Sequence, residues 1–196
     1  LRTLSNDLVQ AGLKRINISL DSLRPDRFTE LTLRDNLPQV LDGIQAAVDS
    51  GLNPVKVNMV VMAGVNDDEI IDFARFGREY GVIVRFIEFM PLDASEGWTT
   101  GQVVKQEQII DQINSEFPLI PVQRTSAPAT RFTYEDGQGE IGVVASVTEK
   151  FCDTCDRIRL TADGQFRNCL FAVDEFDIKN LLRSGSTDGE ISEEIK

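Results

Sequence analysis

Apolar and polar positions follow two different periods along the first half of the chain. Residues 15–20 (RINISL), 55–62 (VKVNMVVM) and 82–89 (VIVRFIEF) are apolar runs rich in β-branched side chains, which predicts three strands. Between the first two, residues 37–50 place Leu37, Val40, Leu41, Ile44, Ala47 and Val48 at the spacing of one helical face, and Gly51 supplies a stop. Between the second and third, Asn66 with Glu69 reads as a helix start. Ile70, Ile71, Phe73, Ala74 and Phe76 form the apolar side of that helix, and Gly81 ends it. Residues 1–12 read as the body of an amphipathic helix. The βαβαβ order predicts a parallel sheet, in an open doubly wound form or a barrel, with its chemistry at the carboxyl ends of the strands.

After Pro91 the pattern changes. A loop with Gly97, Trp98 and Gly101 leads to a predicted helix over 104–117, followed by a segment broken by Pro118, Pro121 and Pro128. The sheet layer is expected to end here. Short alternating runs over 131–147, around Asp136-Gly137, and over 157–170, around Asp163-Gly164, predict two hairpins. Helical runs follow at 177–183 and from Asp188 onward. The expected division is therefore 1–91, a parallel βα region, and 92–196, a second region of α+β character.

Composition narrows the function. With 196 residues and 41% hydrophobic content the chain can bury a core. Its net charge of -12 disfavours nucleic acid and anionic membrane surfaces. No apolar run approaches a bilayer span and no secretory signal is visible, so the chain reads as soluble and cytoplasmic. It begins with Leu1, already inside the first helical pattern, as expected of a fragment. Cys152, Cys155 and Cys169 are its three cysteines, and it contains no histidine. An odd, clustered set points to metal chemistry in a reducing compartment rather than to disulfides.

Cys152 and Cys155 share one loop, and the Asp163-Gly164 turn folds the chain back so that Cys169 comes beside Cys155. A structural zinc site normally draws four ligands from Cys and His, so zinc would need an aspartate, water or another chain. A cubane iron-sulfur cluster can be held by three thiolates, which leaves one iron open to a small molecule. A redox dithiol is a third reading, although it has no use for Cys169. Arg157 and Arg159 are expected on one face of a strand beside the thiolates, where they either compensate charge or bind phosphate oxygens.

The string Phe151-Cys152-Asp153-Thr154-Cys155-Asp156-Arg157-Ile158-Arg159-Leu160-Thr161, with Asp163-Gly164 and Cys169-Leu170, resembles the C-terminal cluster motif of the radical S-adenosylmethionine GTP 3',8-cyclases of molybdenum cofactor (molybdopterin) biosynthesis. Upstream segments 12–23, 55–60, 64–69 and 84–91 resemble the same family in order and spacing. The resemblance implies an α/β fold: a partial TIM-like (βα)6 barrel, of which residues 1–91 hold the last three parallel βα units. A C-terminal α+β extension, residues 92–196, would carry an iron-sulfur site and bind substrate.

The resemblance further implies that Cys152, Cys155 and Cys169 hold a 4Fe-4S cluster whose open iron binds the guanine of GTP, with Arg157 and Arg159 on the triphosphate side. Ser19, Lys56, Arg85 and Met90 match the family's S-adenosyl-L-methionine contacts. From the residues alone, Ser19 could belong to a strand-to-helix turn, Lys56 and Asn58 could form a satisfied polar pair, and Met90 could be core. Arg85 calls for a partner, either Glu88 or a carboxylate of the cofactor. The implied reaction converts GTP to (8S)-3',8-cyclo-7,8-dihydroguanosine 5'-triphosphate, in a homodimer. A second 4Fe-4S cluster, on a CxxxCxxC motif outside this chain, starts the radical. The chain alone is therefore expected to be inactive and supplies no catalytic residue of its own. The rival readings are another radical S-adenosylmethionine enzyme with an auxiliary cluster, and a non-catalytic zinc-binding module.

Overall fold

A computed structural model describes residues 1–91, 97–123, 127–149, 152, 155, 157–172 and 174–195. The three apolar runs are strands: β1 (Ile16–Ser19), β2 (Val55–Val61) and β3 (Ile83–Glu88), paired in parallel in that order. Five helices accompany them: α1 (Ser5–Gln10), α2 (Pro25–Thr32), α3 (Leu37–Asp49), α4 (Ile70–Tyr80) and α5 (Gln106–Asn114). Gly51 and Gly81, the expected stops, both lie in the left-handed region, with φ of 82° and 66°. Helix α2 was not legible in the apolar pattern. It starts with Pro25 in the first turn, which its missing N–H permits, and buries Phe28.

The sheet does not end at Pro91. The hairpin around Asp136-Gly137 forms β5 (Thr130–Tyr134) and β6 (Glu140–Val144), and β6 adds in parallel to the free side of β3. An edge strand, β4 (Leu119–Pro121), pairs with β5 and completes a six-stranded sheet in the order β1-β2-β3-β6-β5-β4. Pro121 is tolerated there because an edge strand leaves one row of donors unpaired. Compactness thus divides the chain into residues 1–151 and 152–196.

In the first unit the strands bury one face. Val55, Val57, Met59 and Val61 of β2 and Val84 and Phe86 of β3 are core, with Ile44, Ile70, Phe73, Ile109 and Ile113 from the helices. The intervening residues of β2 and β3 are half-buried and partly polar. A parallel strand covered on both sides reads as continuously apolar. The alternation here departs from that pattern, with Lys56 and Asn58 of β2 and Arg85 of β3 at half-buried positions.

The second unit is a three-stranded sheet of β7 (Arg159–Leu160), β8 (Gln165–Arg167) and β9 (Phe176–Asp177), antiparallel throughout, with α6 (Ile178–Arg183) and α7 (Asp188–Ile195). The hairpin around Asp163-Gly164 forms as expected. β9 is two residues long and has no period to read. No described helix is long and apolar enough to cross a membrane.

Candidate functional site

The half-buried face of the sheet carries a row of polar side chains. Strand register pairs Ser19 with Asn58, Asn58 with Arg85, Arg85 with Gly142, and Gly142 with Arg131. Lys56 lies two residues before Asn58 on the same face, opposite Asn17. Three of the expected cofactor contacts, Ser19, Lys56 and Arg85, therefore share one surface drawn from three strands. Met90 follows the end of β3 and is half-buried.

Arg85 crosses this surface. Its Nε–H donates to Asn58 Oδ1 at 2.9 Å and an Nη2–H donates to Asn17 Oδ1 at 3.0 Å. The stem lies over Gly142, where an added Cβ would sit 3.3 Å from Arg85 Cγ and 3.2 Å from Ala129 Cβ. Burial holds the Arg85 guanidinium below its usual pKa. Lys56 is also pulled down, first by burial and then by the Arg85 charge, while Glu140 pushes the other way. Arg131, next along the row, is joined by Nη2 to Glu140 Oε2 and donates from Nε to Oε1 at 3.2 Å.

Glu88 is not the partner of Arg85. The two are three residues apart on one strand, so they point to opposite faces, and Glu88 is completely buried. Its carboxylate accepts from the Val147 and Thr148 N–H groups at 2.9 Å, from the Gln106 N–H at 3.3 Å, and from the Thr148 hydroxyl. It anchors the chain beyond β6 and the start of α5. Asn58 and Lys56 share a face as expected, but the Asn58 amide oxygen serves Arg85.

The carboxyl ends of β1 and β2 are tied together below this face. Asn66 does not cap a helix through its side chain. It is buried, donates to the Asp21 and Val60 carbonyls at 2.8 and 2.9 Å, and accepts from the Met62 N–H at 2.8 Å. Glu69, also buried, accepts from the Ser22 hydroxyl at 2.8 Å, the Leu23 N–H at 2.7 Å and Arg27 at 2.6 Å. Asp21 accepts from the Val60 N–H at 2.8 Å, and its burial raises its carboxyl pKa. A polar loop network satisfied this completely fixes the strand ends. A groove of about 850 Å³, lined by Gly77, Val82, Ile83, Tyr134 and Gly139, lies instead at the amino end of β3, away from the carboxyl ends where parallel sheets gather their chemistry.

In the second unit, the Cys155 N–H donates to the Cys152 carbonyl at 3.1 Å, and both cysteines are exposed. Register pairs Arg159 with Arg167 and Leu160 with Phe166. The ladder ends there: Cys169 lies two residues beyond the end of β8, and Arg157 two residues before the start of β7. The half-buried Cys169 Sγ accepts from the Phe171 N–H at 3.4 Å. Among the described residues, no three His, Cys, Asp or Glu side chains gather in a group able to hold a metal ion. Phe151, Asp153, Thr154 and Asp156 of the motif lie outside the described residues. Arg157 and Arg159 do not both belong to the strand: β7 begins at Arg159, and Arg157 precedes it. Arg167 is ion-paired with Glu175.

The donor set is consistent with a cluster bound through three cysteines: none of the three is in a disulfide, and the Cys169 sulfur is already oriented by an amide N–H. The contributions of Asn17, Gly142 and the Arg131–Glu140 pair were not read from the sequence. A glycine inside a strand does signal close approach of another group, and Gly142 in GEIGVV is such a position.

Residues 82–196 match the family model described as Molybdenum Cofactor Synthesis C, and residues 4–77 match that of the Radical SAM superfamily. Among curated relatives, the GTP 3',8-cyclase of Streptomyces coelicolor is 48% identical over 98% of this chain and 57% of its own length. That of Moorella thermoacetica is 44% identical over 98% of this chain and 60% of its own. That of Corynebacterium glutamicum strain R is 45% identical over 95% and 51%. The chain thus spans between half and three-fifths of the length of these relatives. With the larger share of its residues matched by one model, and by relatives all of one description, the chain belongs to the Molybdenum Cofactor Synthesis C family.

Proposed function

We propose that this chain is part of a GTP 3',8-cyclase, a radical S-adenosylmethionine lyase that converts GTP to (8S)-3',8-cyclo-7,8-dihydroguanosine 5'-triphosphate in molybdenum cofactor biosynthesis. In this reading β1, β2 and β3 are the last three parallel units of a partial TIM-like (βα)6 barrel. Residues 1–91 form the barrel part, and residues 92–196 the cluster and substrate-binding part. Ser19, Lys56, Arg85 and Met90 bind S-adenosyl-L-methionine. Cys152, Cys155 and Cys169 hold a 4Fe-4S cluster, and Arg157 and Arg159 hold the triphosphate. The protein works as a homodimer.

The observation that carries the reading is the set of three cysteines, none of them in a disulfide, that flank one hairpin inside the segment matched by the Molybdenum Cofactor Synthesis C model. A cluster bound there would supply an open, Lewis-acidic iron for the purine. Arg157, exposed, and Arg159, half-buried on β7, offer forked donors to phosphate oxygens. On the other unit, the cationic side chains Lys56 and Arg85 attract the carboxylate of the cofactor, and the buried Asn66 and Glu69 network keeps the strand ends in place around it.

Anaerobic reconstitution of the chain followed by iron, sulfide and zinc analysis tests this. The expected result is about four irons per chain, and none after Cys152→Ser, Cys155→Ser and Cys169→Ser together. GTP should perturb the magnetic spectrum of the cluster, and Arg157→Ala with Arg159→Ala should abolish that response. Zinc without iron would refute the assignment.

A further inference from the structure

Two arginines stand side by side in the polar row, and their partners differ in kind. Arg131 is neutralised by Glu140. Arg85 is held at two of its donors by the amide oxygens of Asn58 and Asn17, which orient a guanidinium without cancelling its charge. No carboxylate of the described residues forms an ion pair with it. Gly142 leaves the space in which the Arg85 stem lies flat, since a methyl group there would press on Cγ. A half-buried guanidinium normally gains most from a carboxylate, and the chain places one on the neighbouring arginine instead.

We propose that Asn58 and Asn17, with Gly142 beneath, are positioning residues that fix the Arg85 guanidinium on neutral oxygens so that its full charge remains for an anionic group of a ligand, a carboxylate or a phosphate. This deepens the function proposed above, because it gives that face a means of seating an anion. It concerns how Arg85 is held and not the cluster chemistry. Asn58 acts through Arg85, so its exchange for aspartate is the informative change. Aspartate keeps an acceptor at the same distance and strengthens the hydrogen bond, but it consumes the charge. A purely structural role for Asn58 would be met as well or better by aspartate.

The test follows the Arg85 side-chain Nε–H resonance of the 196-residue chain by NMR while inorganic tripolyphosphate, and separately S-adenosylmethionine, is titrated. In the unsubstituted chain the resonance should be protected from exchange and should shift with at least one ligand. A response to tripolyphosphate marks a phosphate seat, and a response to S-adenosylmethionine alone marks a carboxylate seat. Asn58→Asp should keep the protected resonance and weaken binding about tenfold or more, as expected for a cancelled charge. Asn58→Ala should lose the protection and weaken binding less. Wild-type affinity in Asn58→Asp, or no shift with either ligand, would overturn the proposal. Because the readout needs neither cluster nor turnover, failure to incorporate iron would count against the function proposed above and leave this result standing.

Discussion

The two units reach order by different means. Residues 1–151 bury a continuous core of β2, β3, β6, α3, α4 and α5 side chains, several with no exposed surface at all. Among the described residues of 152–196 the buried hydrophobic ones are Ile178 and Ile191, while Ile158 and Leu160 are 64% and 68% exposed and Phe171, Phe176 and Leu182 are also open. A segment this short gains little from hydrophobic burial and usually depends on a metal, a disulfide or a covering partner. The first unit therefore specifies its own fold, whereas the second leaves much of its apolar surface open.

Amide hydrogen exchange should show the largest contrast. Amides of β2 and β3 should be protected over those of β7, β8 and β9 by at least about two orders of magnitude, since local opening scales with buried contacts. Reconstitution with iron should narrow that gap, and equal protection in the metal-free chain would break the comparison. Next in size is the core itself. Phe86→Ala should cost about 3–5 kcal/mol in urea unfolding followed by Trp98 fluorescence, whereas Ile191→Ala should leave that transition within about 0.5 kcal/mol. A matched loss would show that the two units unfold together. Glu69→Ala removes a buried carboxylate from the Ser22 hydroxyl, the Leu23 N–H and Arg27, and should cost about 3 kcal/mol in the same experiment.

The smallest effect is one of pH. Burial raises the folded-state pKa of Asp21 above the usual carboxylate value, so the folded state keeps this proton to higher pH than the unfolded state does. The Asp21 contribution to stability therefore falls as pH rises from the usual value through the raised one. Asp21→Asn, which can still accept from Val60, should be the more stable protein near neutral pH. That advantage should vanish in acid. Paired urea midpoints at the two conditions check the sign.

Much of the first unit was legible because its strands and helices have clean periods. The runs at 15–20, 55–62 and 82–89 became β1, β2 and β3, and the stripes over 37–50 and 70–80 became α3 and α4. What could not be read was adjacency. Nothing in GEIGVV says that it pairs with β3 rather than with a separate sheet, because side-chain alternation is the same in either case. The same limit hid the polar row. Lys56 and Asn58 visibly share a face, but the contact of Arg85 with Asn17 spans 68 positions and depends on register between strands. Asn66 was read as a cap from its local spacing, and it turned inward because two buried carbonyls needed a donor. In the second unit the Asp163-Gly164 turn was legible from its residue types, whereas β9 was too short to signal itself.

β3 holds a cation on one side of the sheet and a sunken carboxylate on the other, three residues apart. Substitutions along such a strand are graded, each costing what its own contacts supply. A change in length is not. Losing or gaining a single residue between Arg85 and Glu88 would turn one of them to the wrong side, stranding a charge in the core or removing the anchor of α5. In descendants of this chain, the number of residues between Arg85 and Glu88 should stay constant.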